Sequence, residues 1–173
     1  MHGLQETRRA GALSLYVALL ITATVIVVVD QTTKSLALAN LSDGPIEVIE
    51  GVLTLRLTYN PGGAFGVLQG VPNFFLIATV VIVVFILYWA RTVQSVAWAI
   101  TLGLVLGGGL GNLIDRVFRD TDGRVVDFVD LHVWPVFNVA DSAITIGVIT
   151  LLIMSFRAER KPDDPSVLGG RAL

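Results

Sequence analysis

Long uncharged runs separated by shorter polar segments dominate this chain. The first run, Ala10–Val29, contains 20 residues without a charge, and three further apolar runs follow it. A bilayer core about 30 Å thick requires roughly 20 helical residues to cross it. The pattern therefore predicts four membrane-spanning helices, at about 10–30, 74–90, 96–116 and 140–156.

The residues around the first run distinguish it from a cleaved signal peptide. Arg8 and Arg9 precede the run, as they would in a signal peptide, but the apolar stretch is long and no small-residue cleavage site follows it. Residues 30–34 are polar and are expected to form the end of the helix. We therefore expect the first span to be retained.

Alternating apolar and polar residues predict a small sheet between the first two spans. Within residues 41–70, the run Leu53–Tyr59 has the period of a half-buried strand. Residues 46–49 are expected to form its partner, with a turn near Glu50 and Gly51. We expect this sheet to lie on the membrane surface.

The two remaining polar segments show no clear helix or strand periodicity. Residues 116–139 are mixed in character and contain a predicted turn at 120–123. The tail, 157–173, is polar and contains Pro162 and Pro165, which predicts disorder. The chain is therefore interpreted as an all-α membrane protein with one membrane-embedded domain, 1–156, and a polar cytoplasmic tail.

The distribution of positive charges predicts the orientation of the spans. Seven basic residues lie before the first span, between the second and third, or after the fourth: Arg8, Arg9, Arg91, Arg157, Arg160, Lys161 and Arg171. The other segments contain five: Lys34, Arg56, Arg116, Arg119 and Arg124. Because cytoplasmic segments carry an excess of Lys and Arg, both termini are expected to be cytoplasmic and the sheet external.

Composition supports a membrane protein and excludes several kinds of site. Hydrophobic residues make up 54% of the chain and charged residues 15%, compared with about 25% charged in a soluble domain. The net charge of −2 argues against nucleic acid as a partner. The chain has no cysteine and two histidines, His2 and His132, so thiol catalysis is excluded and no metal or other cofactor is expected.

Five aspartates lie at or near the predicted external ends of the spans: Asp30, Asp115, Asp127, Asp130 and Asp141. A carboxylate in or near hydrocarbon is costly, which makes it a candidate for function. The alternative for each is a solvated residue just beyond a helix end. Asp30 and Lys34 are four residues apart with the acid first, so we favour a structural ion pair there.

Glycines recur at every fourth position of the third span, at Gly103, Gly107 and Gly111. The GGGLG sequence at 107–111 lacks the spacing and the lysine of a phosphate-binding loop. Close packing of another helix is therefore the favoured interpretation.

Three polar residues follow the glycines and share one helix face: Asn112, Asp115 and Arg116. Because the glycines mark the packed side of the helix, this face is expected to point into the protein. We expect Asp115 and Arg116 to pair with each other or to brace neighbouring backbone.

Asp127 and Asp141 are each flanked by apolar residues. Asn138 fits the N-cap of the fourth span, which would place Asp141 where the helix dipole favours an anion. That structural interpretation explains Asp141 but not Asp127, the second acid flanked by apolar residues in the same external segment. Two carboxylates close together in a low-dielectric site do not both ionise easily, so that one can act as an acid and the other as a base on water. The sequence lacks the GxSxG and HExxH motifs of other hydrolases.

Five segments in order resemble the motifs of the lipoprotein signal peptidase (signal peptidase II) family. They are DQTTK at 30–34, NPGGAF at 60–65, GGGLGNLIDR at 107–116, VVDF at 125–128 and FNVAD at 137–141. Any one of them alone is weak evidence. Together they run from residue 30 to residue 141, which leaves out only the termini, and their order makes the resemblance specific.

The resemblance implies a bacterial inner-membrane aspartic endopeptidase. Its substrates would be diacylglyceryl-modified prolipoproteins, cut just before the lipidated lipobox cysteine. The catalytic residues would be Asp127 and Asp141. The substrate-binding residues would be Asn60, Gly62, Asn112, Arg116 and Asn138, and Asp30, Lys34 and Asp115 would be structural. The site would lie near the extracytoplasmic face of a monomer in contact with membrane lipid.

The sequence departs from the family in one place and leaves two other functions open. The connection between Arg116 and Val125 is longer than the family's, with an additional Asp-Thr-Asp-Gly turn. A small proton-coupled transporter would also use buried acids, but these acids cluster at one face and the spans show no inverted repeat. A purely structural scaffold would leave the clustered acids unexplained.

Overall fold

The computed structural model describes residues 2–62, 74–93 and 95–159, which contain four α-helices and three strands. The elements follow in the order α1 (His2–Asn40), β1 (Ile46–Ile49), β2 (Leu53–Asn60), α2 (Phe74–Trp89), α3 (Val96–Phe118), β3 (Val125–Asp130) and α4 (Val139–Glu159). Part of the predicted outer segment, 63–70, and the tail from 160 lie outside the described residues.

Three of these helices are long and apolar enough to cross a membrane. Within the described residues they are Leu13–Asn40, Val96–Phe118 and Val139–Arg157. A shorter apolar helix, Leu76–Thr92, coincides with the second predicted span. The structure is therefore mostly helical, with three candidate spans, one shorter apolar helix and a small sheet.

The third helix packs against the other three, and its glycines allow the close approach. A Cβ atom at Gly107 would lie 2.7 Å from the Ala23 carbonyl oxygen of α1, and one at Gly108 would lie 2.5 Å from the Ala140 carbonyl oxygen of α4. Such distances are too short for real Cβ atoms, so packing is the role of these glycines. Leu19 and Leu102 are buried in the apolar core formed there.

The first helix extends beyond its predicted end. We expected it to end within the polar segment 30–34, but α1 continues to Asn40. The polar residues Asp30 and Lys34 do not end it, because both side chains are fully buried and form an ion pair of 2.9 Å. Neutralisation inside the protein allows the helix to continue.

The sheet contains the predicted hairpin and a strand that was not predicted. The strands are antiparallel in the order β1-β2-β3. Gly51 occupies the turn between β1 and β2 with φ +67°, a conformation that favours glycine. We described 116–139 as mixed, but it contains β3, whose residues are almost all buried. Burial on both faces removed the alternation by which a strand is recognised.

The additional turn between α3 and β3 is present. Asp122 and Gly123 both have positive φ, and the Arg124 N–H donates to the Thr121 carbonyl oxygen at 3.1 Å. The turn brings the chain from α3 directly into β3. It thereby places Asp127 beside the helix ends.

Candidate active site

A cavity of about 330 Å³ lies where α2, α3 and α4 approach the end of β2. Its polar lining residues are Asn60, Thr79, Asn112, Arg116, Asp141 and Thr145. Residues 134–137 and Ile144 form an apolar side. The structure thus brings four predicted site residues to one cavity.

Asp127 lies on β3 and is 1% exposed. It is not among the residues that line the cavity, but the cavity residue Asn60 donates to its Oδ2 at 2.9 Å, and Asn138 donates to its Oδ1 at 2.6 Å. Burial, followed by the nearby charge of Asp141, raises the pKa of Asp127 to about 7 despite these amides. This carboxyl group can therefore hold or release a proton close to neutral pH.

Asp141 lies in the first turn of α4 and is held by two asparagines. Asn112 donates to its Oδ1 at 2.8 Å, and the backbone N–H of Asn138 donates to its Oδ2 at 3.3 Å. In return, the Asn138 Oδ1 accepts the Asp141 N–H at 2.9 Å. The predicted N-cap is therefore confirmed, with the reciprocal geometry of a capping box.

The side chain of Asn138 joins the two aspartates. Its oxygen caps the helix that carries Asp141, while its Nδ2 donates to Asp127. The same Nδ2 is 3.2 Å from the Asn112 Oδ1. This buried side chain thus links the Asp127 carboxyl group to the helix turn that carries Asp141.

An ion cluster lies beside these amides and is formed by Asp30, Lys34, Asp115 and Arg119. The Lys34 Nζ is 2.9 Å from both the Asp30 Oδ2 and the Asp115 Oδ2. It also donates to the Asn112 Oδ1 at 3.0 Å. The cluster therefore connects directly to the amides that hold the aspartates.

The carboxylates of the ion cluster also bind the backbone of the segments that carry Asp127 and Asp141. Asp30 accepts the Ala140 N–H at 2.9 Å, and Asp115 accepts the Val126 N–H at 3.0 Å. Ala140 precedes Asp141, and Val126 precedes Asp127. Asp30 and Asp115 consequently fix the position of each aspartate's backbone.

Two members of this network were not predicted from the sequence. The Arg119 Nε donates to the Asp115 Oδ1 at 3.0 Å and its Nη2 to the Gln31 Oε1 at 2.8 Å. Gln31 in turn donates to Asp115 at 3.0 Å. The spacing of four residues between Asp115 and Arg119 was the available signal for one of these contacts.

Arg116 and Gly62 occupy supporting positions. The Arg116 Nη1 donates to the Asn112 carbonyl oxygen at 3.3 Å, which is the backbone bracing that the sequence suggested. The Gly62 N–H donates to the Asn60 Oδ1 at 2.8 Å and so orients the amide that reaches Asp127. The remainder of that motif, 63–65, lies outside the described residues.

Asp127 and Asp141 bring acid–base chemistry to the site. Among the described residues, no three His, Asp or Glu side chains come together in a way that could hold a metal ion. Two carboxylates held by neutral amides can exchange protons with a bound water or peptide. The arrangement therefore suits hydrolysis by general acid and base.

Comparisons with known proteins agree over most of the chain. The sequence model of a family described as signal peptidase (SPase) II matches residues 22–157. A lipoprotein signal peptidase of Rhodococcus jostii (strain RHA1) is 45% identical over 141 residues, which cover 79% of this chain and 71% of the relative. One from Streptomyces griseus subsp. griseus is 44% identical over 144 residues, covering 81% and 74%.

Solved structures show the same similarity. A structure described as a bacterial membrane enzyme, determined by the in meso method at 2.3 Å resolution, gives a TM-score of 0.77 at 32% identity. It covers 84% of this chain and 92% of that chain. A second, at 1.9 Å resolution, gives a TM-score of 0.70 at 34% identity. The range matched by the family's sequence model, 22–157, contains every residue of the cavity and of the ion cluster.

Proposed function

The chain belongs to the signal peptidase II family of membrane peptidases and removes signal peptides from prolipoproteins; we propose that it does so as an aspartic endopeptidase. In this proposal Asp127 and Asp141, together called the dyad, activate one water molecule. The observation that carries it is that Asn138 binds both carboxyl groups: its side-chain Nδ2 donates to Asp127, and its backbone N–H donates to Asp141.

Only one member of such a dyad needs to be ionised at neutral pH. The ionised carboxylate takes a proton from water, whose oxygen attacks the scissile carbonyl carbon. The protonated partner gives its proton to the carbonyl oxygen. Collapse of the tetrahedral intermediate breaks the C–N bond: the proton taken from water passes to the leaving amine, and a hydroxyl group of the intermediate returns a proton to the partner carboxylate. Each carboxyl group thus reverses its role within a turnover, and both return to their starting states.

In this proposal, a peptide substrate enters the cavity from its apolar side. Asn112 and Asn138 hold the dyad, while Asn60, Gly62 and Arg116 are proposed to contact the substrate backbone. The substrate would be a diacylglyceryl-modified prolipoprotein, cut before its lipidated cysteine. Membrane lipid would surround the large exposed apolar side chains of α1, α2 and α4.

The membrane arrangement follows from the same proposal. All four helices would span the bacterial inner membrane as a four-helix bundle, with both termini in the cytoplasm and the sheet on the external surface. Residues 1–156 would form one peptidase domain, acting as a monomer without cofactor, and 157–173 a cytoplasmic tail. Nothing in the family supports the transporter considered above.

Removal of either carboxyl group tests the mechanism. Asp127→Asn and Asp141→Asn should each lower turnover of a diacylglyceryl-modified lipobox peptide by about a thousandfold or more, because an amide cannot donate or accept the catalytic proton. Asp122→Asn, which changes an exposed acid in the neighbouring turn, is the matched control. Cleavage by the purified variants is measured in detergent, with and without a chelator.

Two outcomes would contradict the mechanism. Substantial turnover by either dyad variant would show that the carboxyl group is not catalytic. Inhibition of the wild type by the chelator would indicate a metallopeptidase.

A further inference from the structure

The loop between β3 and α4 joins the two aspartates of the dyad and forms one wall of the cavity. Its residues 134–137 line that wall. At the base of the loop, Phe137 and Val129 exchange backbone hydrogen bonds of 3.0 and 2.9 Å. The tip projects from the protein, with Val133 89% exposed. Backbone pairing therefore fixes the base of the loop, but it does not fix the position of the tip.

His132 connects the tip to the sheet. Its φ is 61°, a conformation that residues other than glycine rarely adopt. The His132 N–H donates to the Asp130 Oδ1 at 2.8 Å, and its ring Nε2 is 3.0 Å from the Thr54 Oγ1. These two directional contacts hold a backbone conformation that is otherwise unfavourable.

The partners of His132 are themselves well fixed. Asp130 is largely buried and lies directly opposite Thr54 in the β2–β3 register. The Arg56 Nε donates to its Oδ2 at 2.6 Å. The contacts of His132 thus end on a paired carboxylate and on a central strand, both of which resist movement.

The order Thr54, His132, Asp130 resembles a nucleophilic triad, but its geometry does not support one. The His132 Nδ1 is 3.8 Å from the Asp130 Oδ2, which is too long for a hydrogen bond. Thr54 is 9% exposed on a paired strand, where a substrate carbonyl has no access. Positioning is the remaining chemical role for the histidine.

We propose that His132 is a positioning residue that holds the 131–137 loop against β2 and so preforms the cavity wall for the substrate. The inference rests on the proposed function. Because Asn138, Asn112 and the ion cluster hold the dyad independently of His132, release of the loop affects substrate binding rather than the chemical step. A solvated histidine without function would affect neither.

Two single variants and their combination test the proposal. His132→Asn keeps a residue that tolerates positive φ but cannot reach Thr54; Thr54→Val removes the hydroxyl group and keeps the shape. Each should raise KM for the lipobox peptide about fivefold, the order expected for one hydrogen bond, with kcat changed less than about twofold. The double variant should be no worse than either single variant, and Thr54→Ser should restore the wild-type KM.

The control is Asp122→Asn, which changes the other non-glycine residue with positive φ among the described residues. Its KM should equal that of the wild type. An unchanged KM in Thr54→Val, a loss confined to kcat, or additive effects in the double variant would overturn the proposal. Thr54→Val decides the matter if His132→Asn fails to fold. Failure of folded wild type to cleave would instead refute the proposed function.

Discussion

Two groups of carboxylates, all buried except the half-buried Asp141, share one hydrogen-bond network in this protein, and they differ in what neutralises them. In the ion cluster, Asp30 and Asp115 share the ammonium group of Lys34, and Asp115 also pairs with Arg119. In the dyad, the hydrogen-bond donors to Asp127 and Asp141 are asparagine amides and a backbone N–H.

This difference separates a structural role from a chemical one. A carboxylate beside a cation is held in its ionised form and cannot readily accept a proton. The hydrogen-bond donors to Asp127 are neutral amides, and burial raises its pKa more than these amides and the charge of Lys34 lower it, so that the pKa of Asp127 rises to about 7. The ion cluster can therefore position backbone, while the dyad can exchange protons during turnover.

The largest expected effect comes from removing the cation of the ion cluster. Lys34→Met leaves two buried carboxylates without their shared partner and should lower the free energy of unfolding by about 3–5 kcal/mol. Unfolding in detergent measures the loss. The exposed pair of Asp122 and Arg124 provides the control, since Asp122→Asn should change stability by less than about 1 kcal/mol.

A double variant shows whether the pairing itself is responsible. Asp30→Asn combined with Lys34→Met should lose less stability than the sum of the two single variants, because fewer charges remain unpaired. Strict additivity would contradict direct pairing of Asp30 and Lys34.

The next largest effect would come from making the dyad resemble the ion cluster. Asn60→Lys places an ammonium group beside Asp127, which should hold that carboxyl group ionised and lower its pKa. Turnover at pH 7 should fall about a hundredfold, since the dyad then lacks its acid. Asn60→Gln keeps the amide and should retain more activity. Equal activity of the two variants would show that the charge state of Asp127 does not limit catalysis.

A smaller effect is expected at the cation that lines the cavity. Arg116 braces the Asn112 carbonyl oxygen with its planar guanidinium group, which lysine cannot reproduce. Arg116→Lys should therefore lower kcat/KM about tenfold, the order of one hydrogen bond to a charged group. Wild-type kcat/KM in this variant would mean that only the charge matters or that Arg116 has no role.

The smallest effect concerns stability and pH. Because the pKa of Asp127 is raised from 3.8 to about 7, the native state binds more protons than the unfolded state between these values. The contribution of Asp127 to the stability of the native state is therefore full below pH 4 and is lost as the pH rises through 7. Asp127→Asn should melt near the wild-type temperature at pH 4 and a few degrees above it at pH 8.

The ion cluster supplies the contrast for that experiment. Asp115→Asn removes a partner of Lys34 and should lower the melting temperature at pH 8. A loss of stability at pH 8 in Asp127→Asn as well would show that the two groups are not neutralised differently.

The sequence predicted local features of these sites more readily than their assembly. The Asp30–Lys34 pair and the Asn138 cap depend on spacings of four and three residues, which a helix imposes directly. The contact of Lys34 with Asp115 joins residues far apart in the chain, and only helix packing brings them together. No local pattern contains that information.

Two features of the fold were missed for related reasons. The end of α1 was placed within residues 30–34 because polar residues usually end a span, whereas Asp30 and Lys34 neutralise each other in the interior. The strand β3 was not recognised because its residues are buried on both faces. In both cases burial in the folded protein allowed a structure that the local sequence pattern did not indicate.

The pH dependence of cleavage tests the central claim most directly. Single-turnover rates on the lipobox peptide, measured from pH 5 to pH 9, should change with one limb near pH 7 that belongs to the dyad as a coupled pair. Asn60→Lys should move this limb to lower pH, and Asp122→Asn should leave it in place. A rate that is constant across this range while the protein stays folded would contradict proton exchange by Asp127 and Asp141.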